Sequence, residues 1–81
     1  MTSSVTSLEP SLPDPIKLQV NGELKRCSAD TKLPDFLVQI GLNPRLVAVE
    51  YNGEILTRSL WPQTTLQAGD QLEIVTIVGG G

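Results

Sequence analysis

Gln71-Leu72-Glu73-Ile74-Val75-Thr76-Ile77-Val78-Gly79-Gly80-Gly81 closes this 81-residue sequence, and its reading decides the fold. β-Branched apolar residues dominate as far as Val78, the composition of a strand buried on at least one face. Three glycines follow with no linker between them and the strand, and the expected reading is an arm with a free carboxylate at its tip. Three extended residues reach roughly 10 Å beyond a strand. Lacking Cβ atoms, such an arm can pass close to another backbone. Glycine-rich ends also serve as plain spacers. Here no Ser or charged residue dilutes the glycines, which favours an arm presented by the strand.

Alternation within the strand sets Leu72, Ile74 and Thr76 on one face and Val75 and Ile77 on the other. If a helix covers the first set, then Val75 and Ile77, with Val78 beside them, form a docking patch on an open face. The alternative is a strand buried on both sides.

Working back from that strand, Gln67-Ala68-Gly69-Asp70 is a turn leading into it. Arg58-Ser59-Leu60-Trp61-Pro62 predicts a single irregular turn that stops at the proline, with Trp61 plugging one end of the core. Leu46-Val47-Ala48-Val49-Glu50-Tyr51 predicts a central strand covered on one face or both. Asn52-Gly53 then turns the chain into a short extended piece, Glu54-Ile55-Leu56. Leu33, Phe36, Leu37 and Ile40 follow helical spacing and make one apolar stripe. Ser28-Ala29-Asp30-Thr31 marks the helix start, Pro34 suits the first turn, and Gly41 suits the end. Before the helix, Ile16-Lys17-Leu18-Gln19-Val20 alternates as a half-buried strand. Asn21-Gly22 is a type I′ hairpin signal. Glu23 to Cys27 returns as a poorer strand, with Leu24 and Cys27 on opposite faces, which predicts an edge strand or a bulge.

The order is therefore hairpin, helix, strand, short strand, strand. A hairpin feeding a helix across one sheet face predicts a final strand lying parallel beside the first. This is an α+β roll of the ubiquitin-like β-grasp kind: a mixed sheet packed on one main helix, with a glycine tail. The expected boundaries are a disordered extension over residues 1–15, the β-grasp domain over 16–78 and the tail over 79–81. The extension holds three of the six prolines and four serines, shows no apolar period, and lacks the basic start and apolar run of a signal peptide.

Composition narrows the function. About 66 residues remain for the fold, near the lower limit for folding without staples. Cys27 is the single cysteine and there is no histidine, so a metal site has almost no ligands. The net charge of −3 and three aromatic residues argue against a nucleic-acid partner. No apolar run approaches membrane-spanning length, so a soluble, cytoplasmic protein is expected. Cys27 reads as a buried strand cysteine in preference to a sulfur-transfer group. Glu50, Glu54, Asp70 and Glu73 read as a solvated face, with steering of a basic partner as the alternative. No acid–base pair or nucleophile–histidine pair is present, so intrinsic enzyme activity is not expected.

The block Val47-Ala48-Val49-Glu50-Tyr51-Asn52-Gly53-Glu54-Ile55-Leu56, with Arg58-Ser59, Trp61, Leu66, Gly69-Asp70, Leu72-Glu73-Ile74-Val75 and Val78-Gly79-Gly80-Gly81, resembles the ThiS family of sulfur carriers in thiamin biosynthesis. The likeness covers residues 16 to 81. It implies that Gly81 is adenylated by a ThiF-like adenylyltransferase, which uses ATP and magnesium; the carrier itself holds no cofactor. It further implies that a cysteine desulfurase or other donor supplies sulfur to form a thiocarboxylate on Gly81. Thiazole synthase then takes that sulfur. Gly79 and Gly80 would thread the partners' active sites. Lys32-Leu33-Pro34 departs mildly from the family, which often has Thr or Ser near the helix start. The small subunit of molybdopterin synthase and a ubiquitin-like modifier both need the same bare glycine end and stand as alternatives. A plain interaction module with an irrelevant tail is a third.

Overall fold

A computed structural model describes residues 14–77. Five strands and one α-helix follow in the order β1 Ile16–Val20, β2 Glu23–Cys27, α1 Leu33–Gln39, β3 Val47–Tyr51, β4 Glu54–Ile55 and β5 Gln71–Thr76. Two 3-10 segments, Pro44–Leu46 and Arg58–Gln63, bracket β3 and β4. The sheet order is β2-β1-β5-β3-β4. β5 runs parallel to β1 and antiparallel to β3, so the strand quoted first occupies the centre of the sheet. This is the β-grasp arrangement.

Both Asn-Gly pairs turn as expected: Asn21 and Asn52 take φ of 51° and 52°, and their glycines 84° and 89°, the positive pair a type I′ turn demands. β2 is an edge strand with an unbroken register from Ile16↔Cys27 to Val20↔Glu23 and no bulge. Cys27 accordingly points into the core and Leu24 points out to solvent.

The helix stripe packs on one face of the sheet. Leu33, Phe36 and Leu37 are fully buried against Leu18, Val20, Val47, Val49, Leu72 and Ile74. Each such side chain contributes roughly 1.5–3 kcal/mol of transfer free energy, which holds in place a seven-residue helix too short to persist alone. The helix ends in a Schellman motif. Gly41, at φ +88°, donates its N–H to the Val38 carbonyl at 3.0 Å, and Leu42 donates to Leu37 at 2.9 Å. The helix start differs from expectation. Ser28 to Thr31 form a separate turn, closed by Thr31 Oγ1 donating to the Ser28 carbonyl at 2.6 Å. The N-cap is Lys32, whose side chain makes no capping bond. The 64–66 segment takes over that role by backbone pairing: Leu33 donates to the Thr64 carbonyl and Leu66 to the Thr31 carbonyl, both at 2.9 Å.

Two further expectations need correction. The segment from Arg58 does not stop at Pro62 but continues in 3-10 conformation to Gln63, where a turn closes past the proline as the Thr64 N–H donates to the Trp61 carbonyl at 3.0 Å. Leu46 belongs to a 3-10 turn, and β3 begins at Val47. Trp61 does plug the core: it is buried and its Nε1 donates to the Leu56 carbonyl at 3.1 Å.

Candidate functional site: the central strand and its open face

β5 is held on both sides, and the two hairpin asparagines do much of the holding. Paired residues of β1 and β5 extend only from Gln19↔Gln71 to Val20↔Leu72. Beyond that point the Asn21 side chain replaces the missing backbone. Its Oδ1 accepts from the Ile74 N–H at 2.7 Å, and its Nδ2 donates to the Ile74 carbonyl at 3.1 Å. At the other end of β5, Asn52 Oδ1 accepts from the Gln71 N–H at 2.8 Å. The sequence marked both residues as turn formers. Their second role appears only when the turns lie beside β5.

Asp70, which leads into β5, is not part of a solvated face. It is 7 % exposed, and its carboxylate accepts from Tyr51 Oη at 2.5 Å, Asn52 Nδ2 at 3.2 Å and the Gln67 N–H at 2.7 Å. Burial foremost, then the hydrogen bond to Asp70 and its negative charge, push the Tyr51 phenol up to about 12. Cys27 is buried, and desolvation raises its thiol pKa, partly offset by a hydrogen bond from Thr31. A thiol so placed is a packing group and a poor nucleophile.

The two faces of β5 divide as the alternation predicts. Leu72 and Ile74 lie in the core. Val75 and Ile77 stand on the open face at 61 % and 44 % exposure, and the reading that buried both sets is excluded. Around Val75 the sheet forms a shallow groove of about 140 Å³ with Ala48, Glu50, Ile55 and Glu73 in its lining. Glu50 and Glu73 face each other directly across β3 and β5, and no ion pair among the described residues involves either. Like charges set opposite on a sheet repel, so this groove combines apolar walls with a negative field. It suits a partner surface that is apolar and basic.

The last described backbone bond of β5 runs from the Ile77 N–H to the Leu46 carbonyl at 2.6 Å. Val78 and the expected tail residues Gly79, Gly80 and Gly81 lie outside the described residues, as do residues 1–13 of the expected extension. Among the described residues no group of three potential metal ligands comes together, and no helix is long and apolar enough to cross a membrane.

Against known proteins, the ThiS family profile matches residues 18–81. A thiazole synthase of Paramagnetospirillum magneticum is 42 % identical over 66 residues, covering 82 % of this chain but only 20 % of that protein. The chain thus spans about a fifth of the length of that relative. The sulfur carrier protein ThiS of Bacillus subtilis is 37 % identical over 65 residues, covering 79 % of this chain and 98 % of the relative. The crystal structure of a thiamine biosynthesis protein (ThiS) from Geobacter metallireducens superposes with a TM-score of 0.69 at 32 % identity, over 82 % of this chain and all of that one.

Proposed function

The chain belongs to the ThiS family, and from that premise we propose that it is a sulfur carrier of thiamin thiazole biosynthesis, with the chemistry on Gly81. The observation that carries the reading is the placement of β5. The strand that runs into the glycine end is the central strand of the sheet, locked by both neighbours, with Val75 and Ile77 turned outward beside an acidic groove. A rigid body of this kind lets a partner bind the open face while the glycine end reaches into its active site.

The chemical logic follows from the carboxylate. A C-terminal carboxyl has a reference pKa of about 3.3–3.7, so it is an anion at neutral pH and a poor electrophile. Its oxygen attacks the α-phosphorus of ATP in a ThiF-like adenylyltransferase, releasing pyrophosphate and leaving an acyl adenylate. A persulfide sulfur from a cysteine desulfurase or other donor then adds to the carbonyl carbon and AMP departs, and a thiol reductant cleaves the resulting S–S bond to leave a thiocarboxylate on Gly81. That sulfur passes to thiazole synthase. Gly79 and Gly80 keep the arm narrow enough for both active sites. Magnesium and ATP belong to the activating partner, and the carrier is a cosubstrate without turnover of its own.

Intact mass spectrometry tests this. After incubation with ATP, magnesium, a ThiF-like enzyme and a sulfur source, the chain gains the mass difference between sulfur and oxygen. A chain lacking Gly81 does not. An unchanged mass with an activating enzyme proven on another carrier overturns the reading, whereas an isopeptide adduct to lysine moves the protein to the modifiers.

A further inference from the structure

We propose that Arg58 is the positioning residue that anchors the end of β5, at Ile77, ahead of the glycine run. This rests on the carrier reading above, and its first test does not. Residues 44–47 form the bed on which the end of β5 lies: Val47 pairs with Thr76, and the Leu46 carbonyl accepts from the Ile77 N–H at 2.6 Å. The Arg58 guanidinium grips this bed from the side. Its Nη1 donates to the Pro44 carbonyl at 2.6 Å and its Nη2 to the Val47 carbonyl at 2.8 Å. Leu46, whose carbonyl holds Ile77, sits between the two gripped carbonyls. One planar fork therefore fixes the curvature of the backbone that carries the last described bond of β5.

The grip has a firm mount. Arg58 lies over the Trp61 ring, 4.4 Å from its centroid, and Trp61 is buried in the core. Trp61 Nε1 donates to the Leu56 carbonyl at 3.1 Å, and the Leu56 N–H donates to Val49 of β3 at 3.0 Å. Among the described residues no ion pair involves Arg58, so its charge serves carbonyl dipoles and the ring face. Lysine supplies a point charge without the fork, and cannot hold both carbonyls with the same geometry. Without the grip, residues 44–47 gain freedom, the Ile77 bond opens, and the end of β5 is no longer fixed against its neighbour. A docked carrier then presents its terminal carboxylate less often to the activating site, while the open face still binds.

Two measurements on the full chain and its Arg58→Lys and Arg58→Ala variants test the role. In native-state hydrogen exchange the Ile77 amide exchanges at least about tenfold faster in both variants, while the Ile74 and Val49 amides follow global stability alone. In charging assays with ATP and a ThiF-like enzyme, kcat falls roughly ten- to a hundredfold and KM for the carrier stays unchanged. A merely structural arginine accelerates the core amides together with Ile77 and leaves kcat alone. Arg58→Lys keeps the stem and charge, so it reports even if Arg58→Ala does not fold. Wild-type protection at Ile77 in the variants overturns the proposal. So does a loosened Ile77 with wild-type kcat. If the wild-type chain itself is not charged, the carrier reading fails, and the exchange result still decides the grip.

Discussion

The Tyr51 hydroxyl shows how one buried acid alters a neighbour. Tyr51 donates to Asp70, which also holds Asn52 and the Gln67 amide, so the phenolate would face a carboxylate with no spare donor. The folded protein favours the neutral phenol, whose pKa rises from 10.0 to about 12. In the unfolded chain the phenol ionises near its ordinary value. Its contribution is therefore complete below about pH 10 and is lost as the pH climbs toward 12. Melts across this range should show wild-type stability falling, with a shallower fall in Tyr51→Phe. At neutral pH the same substitution costs about 1.5–3 kcal/mol, the worth of a hydrogen bond to a charged group. Neither partner was legible as such in the sequence. Asp70 looked like one more surface acid, because the donors that make its burial tolerable come from positions 51, 52 and 67.

At the scale of elements, Asn21 completes β5. A strand that lost its neighbour after Leu72 would expose the Ile74 N–H and carbonyl, and one amide side chain satisfies both. Asn21→Gly preserves the positive φ of 51° and removes only these bonds. It should cost about 1–3 kcal/mol in urea titrations, whereas Gly would cost only a few tenths if Asn21 served the turn alone. The elements themselves were readable, because each was written in local signals: alternation for β1, the stripe from Leu33 to Ile40 for α1, and positive-φ pairs for the hairpins. The helix start was misread for an equally physical reason. Ser28 to Thr31 carry good capping side chains, but the orphan N–H of Leu33 finds a carbonyl from Thr64 across the chain, and that partner is invisible locally. Past Pro62 the chain closes one more turn, with Thr64 donating to the Trp61 carbonyl, a bond that asks no N–H of the proline.

The whole molecule is a one-sided sandwich, with α1 covering one face of the sheet and an acidic, partly apolar groove on the other. Val75 is the most exposed apolar residue of β5 on that open face. Val75→Lys leaves the fold within about 0.5 kcal/mol, as surface changes usually do. It places a cation beside Glu50 and Glu73, where a basic partner would otherwise sit. Charging by a ThiF-like enzyme should then show KM raised roughly tenfold or more with kcat retained. This is the reverse of the pattern expected for Arg58, and a normal KM would exclude this face as the docking surface. By itself the sequence determined the order of elements and the two faces of the final strand, because these depend on spacing. Only the tertiary structure decided which face stays open, that Asp70 is buried, and that Asn21 and Arg58 govern the end of β5. Those roles arise between residues far apart in the chain, where a hydrogen bond exists only after the sheet has brought its donor and acceptor within reach.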